Sequence, residues 1–205
     1  MREDITARQE AIPNGNYHGR YVAAARLSLP AGDVVAVSAH ASPSRAEPER
    51  YGWVGQLPQA RHGGDDPRYK GGELWDSDLL LATLGDLAQH GPVIAAGDFN
   101  EAKDFDLDPA TGKQGTWGRE YFDRAKDLGL TDVLSALWRR ERATRGLLQL
   151  DRCFANEPAF PFLSGTAAHL DEDWDNLDPS ELSDHRAVWL SVPHQAWFER
   201  RIATE

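Results

Sequence analysis

The sequence predicts an α/β or α+β chain organised around a mixed sheet, on three observations. Short apolar runs of strand length are interspersed along it with stretches of helical period. One of those runs, VIAA at 93–96, is continuously apolar, as suits a strand covered on both faces. The chain has 205 residues, 40% of them hydrophobic, enough for one sizeable core and not for two.

Residues 1–18 are polar, with Pro13, Asn14, Gly15 and Asn16 as turn formers, and read as an irregular leader. Residues 21–29 (YVAAARLSL) and 34–39 (VVAVSA) read as two strands of a hairpin closed by the turn from Pro30 to Asp33. Residues 45–73 are a long polar connection rich in Gly, Pro, Arg and Asp; such a segment either covers a substrate or is a tolerated insertion. Residues 75–90 place Trp75, Leu79, Thr83, Leu84 and Leu87 at three- and four-residue steps, which predicts an amphipathic helix. Asp76 and Asp78 stand in its first turn, where the helix dipole favours acids. Gly91 and Pro92 stop that helix ahead of the buried strand at 93–96. A second helix is expected over 120–128, with further strands over 147–156 (LLQLDRCFAN) and 187–192 (AVWLSV). There is no internal repeat and no low-complexity tract.

Composition narrows the function. The net charge is −11, with no basic arm and no Lys/Arg stripe. Affinity for nucleic acid comes largely from neutralised phosphates, so this balance argues against a broad nucleic-acid surface, above all for long duplex DNA. It leaves phosphate chemistry open, because carboxylates that hold a divalent cation turn a negative site electrophilic. No apolar run approaches the roughly 20 residues of a membrane helix, and the charged start MREDITARQE lacks a secretory signal, so a cytoplasmic location is expected. The single cysteine, Cys153, excludes an internal disulfide and a Cys-rich zinc site, and its apolar neighbours suggest a buried thiol.

Chemically capable residues stand at the edges of the apolar strands. His40 follows VVAVSA, Asp98 and Asn100 follow VIAA, Asp151 lies within LLQLDRCF, and Asp184 and His185 precede AVWLSV. Strand ends of an α/β sheet converge on one rim, where sites are built. Carboxylates are hard ligands for magnesium or manganese. A His oriented by a carboxylate suits acid–base work, and Asn can position a water or a phosphate oxygen without adding charge.

These segments resemble the motifs of the endonuclease/exonuclease/phosphatase superfamily. Gly97-Asp98-Phe99-Asn100 looks like its GDFN motif and Ser183-Asp184-His185 like its terminal SDH motif. Leu150-Asp151-Arg152 looks like the strand whose aspartate pairs with the SDH histidine, and SAHASPS at 38–44 resembles the segment around the first catalytic histidine of deoxyribonuclease I-like members. The four occur in the family's order and span roughly residues 19–193, which would be a partial domain between the leader and a tail at 194–205. The resemblance implies a partial four-layer α/β/β/α sandwich with mixed sheets, and a metal-dependent hydrolase of phosphodiesters or phosphomonoesters using Mg2+ or Mn2+. It implies Asp98 as the residue that orients or deprotonates water, Asn100 as its holder, His185 supported by Asp151 as the transition-state stabiliser, and His40 at the scissile phosphate. Asp184 would contact the metal, with Asp98 and Asn100 beside it. The substrate would be a nucleic acid, a nucleotide or a small phosphoester.

Two departures stand against that pattern. The family's upstream Gln-Glu motif, whose Glu is a principal metal ligand, is spelled only by Gln9-Glu10, after a non-apolar segment and 30 positions before His40. The chain thus reads as a member lacking most of its first half, with an apolar sheet face for a partner or second copy to cover. The alternative function is a catalytically inactive remnant acting as a binding module. Asp104, Asp106 and Asp108 alternate as calcium ligands do, but Pro109 and Gly115 stand where an EF-hand needs Gly and Glu, so a solvated acidic loop is expected.

Overall fold

The computed structural model describes residues 6–9, 22–54, 56–61, 72–105, 110–111, 115–170 and 185–193. Strands β1 (Thr6–Gln9), β2 (Val22–Leu29), β3 (Gly32–His40), β4 (Val93–Asp98), β5 (Leu130–Asp132) and β6 (Asp151–Asn156) form one mixed sheet in the order β1-β2-β3-β4-β6-β5. The β2–β3 hairpin closes at Pro30 and Ala31, with Leu29 opposite Gly32. β3 and β4 are parallel, so a crossover must join them, and helix α1 (Asp76–Ala88) lies on that connection. Helices α2 (Trp117–Asp127) and α3 (Val133–Trp138) precede and follow β5. Strands β7 (Ala167–Leu170) and β8 (Val188–Ser191) form a separate two-stranded sheet.

The core lies mainly between the helices and one sheet face. Leu80, Leu84 and Leu87 of α1 and Tyr121 and Ala125 of α2 cluster with Val35, Val37, Val93, Ala95, Phe99 and Phe154. Full burial of each such leucine stabilises by about 1.5–3 kcal/mol. Phe99 meets Phe154 edge-to-face at a 5.0 Å centroid separation, which locks the residue between Asp98 and Asn100 into the core. The opposite face is covered differently: Ile94, Cys153 and Ala155 meet Val133 and Leu134 of α3 and Val188 and Leu190 of β8. An apolar cleft of about 530 Å³ remains there, with Ala96, Leu134, Cys153, Val188 and Leu190 in its wall.

The class is therefore α/β, as expected, and the reduced second layer matches a partial sandwich: among the described residues the second sheet has two strands. Differences concern short elements. Thr6–Gln9, expected to be irregular, pairs antiparallel with β2 although all four residues are exposed. Its strand state comes from backbone pairing at the end of the sheet order, which leaves no burial pattern in the sequence. β5, α3 and β7, of three, six and four residues, are too short to show a period. Glu10, Asp106, Asp108, the SDH residues Ser183 and Asp184, and the tail at 194–205 lie outside the described residues.

Candidate active site

Sheet register assembles the site. His40 pairs with Asp98 across the parallel β3–β4 ladder, and Asp98 pairs with Asp151 across the antiparallel β4–β6 ladder. The three residues thus form one row across the sheet, and members of a row share a face. Gly97 makes the β3–β4 approach feasible. Its φ is +143°, and a Cβ there would lie 1.9 Å from the Ala39 carbonyl oxygen, so only glycine fits.

After β4 the chain turns sharply. Asn100 sits at φ 50°, a left-handed conformation that Asn tolerates better than most residues. Its backbone N–H donates to Asp98 Oδ1 at 2.8 Å, and its side-chain amide donates to Asp98 Oδ2 at 3.0 Å and to the Ala41 carbonyl at 2.6 Å. The amide nitrogen is thereby spent on protein, which leaves the side-chain carbonyl as the group able to meet a water or a cation.

His185 arrives from the segment before β8. Its Nδ1 lies 2.8 Å from Asp151 Oδ2, and its Nε2 lies 3.7 Å from Asp98 Oδ2. A carboxylate acceptor at Nδ1 fixes that nitrogen as the N–H donor and directs Nε2 toward Asp98. His40 Nε2 lies 3.9 Å from the same Asp98 oxygen, on a side chain that is 62% exposed. Burial raises the Asp98 carboxyl above the ordinary aspartate range; the Asn100 N–H and the two imidazoles pull it back. His40, Asp98, Asn100, Asp151 and His185 line one open cavity of about 460 Å³ together with Pro43 and Arg145. The structure thus brings together five of the six residues singled out from sequence, the sixth being Asp184. His90 and His169, which have no motif around them, are exposed elsewhere. Cys153 is buried and its thiol is pushed up to about 12 by burial, so it is no nucleophile.

The donor set suits one kind of metal. Asp98, Asp151 and the Asn100 carbonyl are hard oxygen donors, and magnesium commonly binds through one or two carboxylates while keeping waters. Among the described residues no group of three or more His, Cys, Asp or Glu is placed so that it could by itself hold a metal ion. By donor chemistry alone, carboxylates and an amide carbonyl would suit a hydrated Mg2+ or Mn2+ rather than the thiolate- and imidazole-rich set of a structural zinc.

Three buried residues outside the set singled out from sequence as candidate site residues hold this rim. Arg61 is fully buried and forks onto Glu101, with Nη1 donating to Oε2 at 2.9 Å and Nη2 to Oε1 at 2.5 Å. Its Nε lies 3.0 Å from Asp78 Oδ1, and its guanidinium stacks 4.1 Å from the Trp117 ring centroid. Burial opposes its charge, but Glu101 and Asp78 more than offset this and hold its pKa above the usual value. Arg152 donates through Nε and Nη2 to the Glu101 carbonyl at 3.2 and 3.1 Å, and pairs with Asp132 and Glu141 at 2.9 and 2.6 Å. Glu101, one residue past Asn100, is thus gripped by both arginines.

Thr144 is the third. Its hydroxyl accepts from the N–H groups of Leu150 and Asp151 at 3.0 and 3.1 Å, and its carbonyl accepts from the Arg186 N–H at 2.7 Å. One buried residue thereby ties the strand of Asp151 to the segment of His185. Replacing Thr144 by Val, which keeps the shape and removes the hydroxyl, is expected to cost about 1–3 kcal/mol in urea denaturation by stranding two N–H groups. Thr144→Ser is expected to retain most of that; equal losses for both would mean the hydroxyl is not what matters.

No family model matches the chain, and no curated protein matches it significantly. Solved structures do. A 3′-5′ exonuclease (NExo) from Neisseria meningitidis superposes with a TM-score of 0.54 at 19% identity, covering 92% of this chain and 70% of its own. A structure of a variant of the 3′ phosphatase NExo from Neisseria, bound to a product DNA hairpin, gives 0.54 at 18% identity, covering 93% and 71%. The endonuclease domain of TRAS1, a telomere-specific non-LTR retrotransposon, gives 0.54 at 15%, covering 94% and 71%. Their names describe enzymes that act on phosphoester bonds. The chain therefore has the fold of the endonuclease/exonuclease/phosphatase (deoxyribonuclease I-like) superfamily, the fold that its four motifs resemble.

Proposed function

We propose that the chain is a metal-dependent phosphoester hydrolase acting by in-line attack of water. One observation carries this reading. Residues from four distant segments meet at one sheet rim, with His185 paired to Asp151 at 2.8 Å and both imidazoles within 4 Å of Asp98. Asp98 orients the attacking water and takes its proton, and the Asn100 carbonyl fixes that water's second contact. His185, as an imidazolium whose Nδ1–H is held by Asp151, places its Nε2–H against charge that builds on the phosphoryl oxygens. His40, on the open side of the rim, contacts the phosphate near the leaving oxygen. Asp98, Asn100 and Asp184 would hold Mg2+ or Mn2+, which when bound supplies positive charge to the non-bridging oxygens.

The upstream Gln-Glu motif of the pattern is spelled only by Gln9-Glu10, after a non-apolar segment and 30 positions before His40. That favours one rival reading, a phosphate-binding module without turnover. Hydrolysis of bis-p-nitrophenyl phosphate separates the two. Turnover with Mg2+ or Mn2+ that Asp98→Ala lowers by about 100-fold or more is expected; no turnover with any divalent cation would leave the binding module standing.

A further inference from the structure

The carboxylate and imidazole paired at the rim come from two places that strand pairing alone does not fix. Asp151 opens β6, and the end of a strand is where a ladder frays first. His185 stands three residues ahead of β8, and residues 185–187 belong to no strand. The two side chains nevertheless meet at 2.8 Å across 34 positions of sequence. A group outside both strands must therefore set their separation.

Thr144 is that joint. It is fully buried, and its two polar ends serve the two partners separately. The hydroxyl holds the N–H groups of Leu150 and Asp151 at 3.0 and 3.1 Å, while the carbonyl holds the N–H of Arg186, next to His185, at 2.7 Å. Leu150 in turn offers its carbonyl to the Phe99 N–H at 3.0 Å, so the same fastening reaches the residue between Asp98 and Asn100. The segment that carries Thr144 is braced on its own. Arg142 N–H donates to the Gln149 side-chain oxygen at 2.7 Å, Thr144 N–H to the Leu148 carbonyl at 2.9 Å and Leu148 N–H to the Arg145 carbonyl at 3.0 Å. None of these three bonds uses the Thr144 hydroxyl. Removing it therefore releases Asp151 while the backbone of the turn stays closed.

We propose that Thr144 is a positioning residue for the reaction, setting the Asp151–His185 couple in its working geometry while touching neither substrate nor metal. This rests on the phosphoester-hydrolase reading of the cavity, whose wall Thr144 does not join. A misplacement of about 1 Å at a catalytic group can cost about 100-fold in rate. Asp151 acts on the imidazole that meets developing charge, so the loss falls on kcat and leaves substrate binding largely alone.

The test uses the full chain with bis-p-nitrophenyl phosphate and Mg2+ or Mn2+. Thr144→Val is expected to lower kcat by about 10- to 100-fold with KM within about twofold of the parent. Thr144→Ser, which restores the acceptor, should bring kcat back to within about threefold. Should Val destabilise the chain too far, Thr144→Ala removes the same hydroxyl and is read in the same way. The arm that separates positioning from mere folding is Thr144→Val/Asp151→Asn. With the couple already broken, the threonine has nothing left to position, so the double variant should be no slower than Asp151→Asn. Losses that multiply, or parental kcat in Thr144→Val, overturn the proposal. A second readout needs no turnover. In the metal-free chain, the His185 Nδ1–H proton shielded by Asp151 should give a downfield NMR signal that fades in Thr144→Val and returns in Thr144→Ser. If the hydrolase reading alone fails, turnover is absent while that dependence on the hydroxyl persists; a signal unchanged in Thr144→Val overturns the positioning role itself.

Discussion

Arg61→Met is expected to be the most destabilising single substitution in the described structure, costing about 3–5 kcal/mol. The argument is electrostatic. Met keeps much of the side-chain volume but leaves the Glu101 carboxylate, gripped at 2.5 and 2.9 Å in the parent, buried without its countercharge. Asp78 loses its partner at 3.0 Å, and Arg124, the next cation, lies 3.6 Å away and is itself partly exposed. Burial already raises the Asp78 carboxyl and Arg61 is the chief group pulling it back, so its loss drives Asp78 toward the protonated form. For a chain of this size each kcal/mol moves the Tm by about 2–4 °C, so a fall of about 10 °C is expected in a thermal melt. Arg61→Lys should rescue little, because one ammonium cannot span Glu101, Ser77 and Asp78 together. The informative control is Arg61→Met/Asp78→Asn/Glu101→Gln, which removes all three charges and should recover part of the loss. A melt for Arg61→Met within about 2 °C of the parent would show that the ion cluster is not what fastens loop 56–61 to the sheet.

That cluster also shows where sequence legibility ends. Asp98 and Asn100 were readable because they stand where a strand run meets a turn, and strand ends converge whatever the loops do; Asp151, expected inside a strand over 147–156, was readable through the Leu150-Asp151-Arg152 resemblance and in the structure opens β6. Arg61 was not, because it lies in a polar connection with no period, and its partners Ser77 and Glu101 are 16 and 40 positions away. Nothing local distinguishes it from an exposed loop arginine. Arg152 is an intermediate case. From sequence it is a natural ion partner for Asp151, yet successive strand residues point to opposite faces. The structure accordingly sends Arg152 to Asp132 and Glu141 and leaves Asp151 for His185.

Asp151→Asn is expected to lower kcat by about 100-fold or more while changing KM little. The amide can still occupy the site 2.8 Å from His185 Nδ1, so packing survives. Its charge does not, and it can offer Nδ1 a donor as readily as an acceptor, which admits the tautomer that moves the imidazole proton from Nδ1 to Nε2. A protonated imidazole facing the phosphoryl oxygens then lacks the carboxylate behind it. His185→Ala should cost on the order of 100- to 10,000-fold by removing the group outright. The decisive quantity is their combination. If Asp151 acts only through His185, the double variant should be no slower than His185→Ala, because the aspartate has nothing left to orient. Losses that multiply would instead mean that Asp151 works independently, as a donor to the cation for example. Parental kcat in Asp151→Asn would remove the pair from the mechanism, since the 2.8 Å contact would then be structural alone.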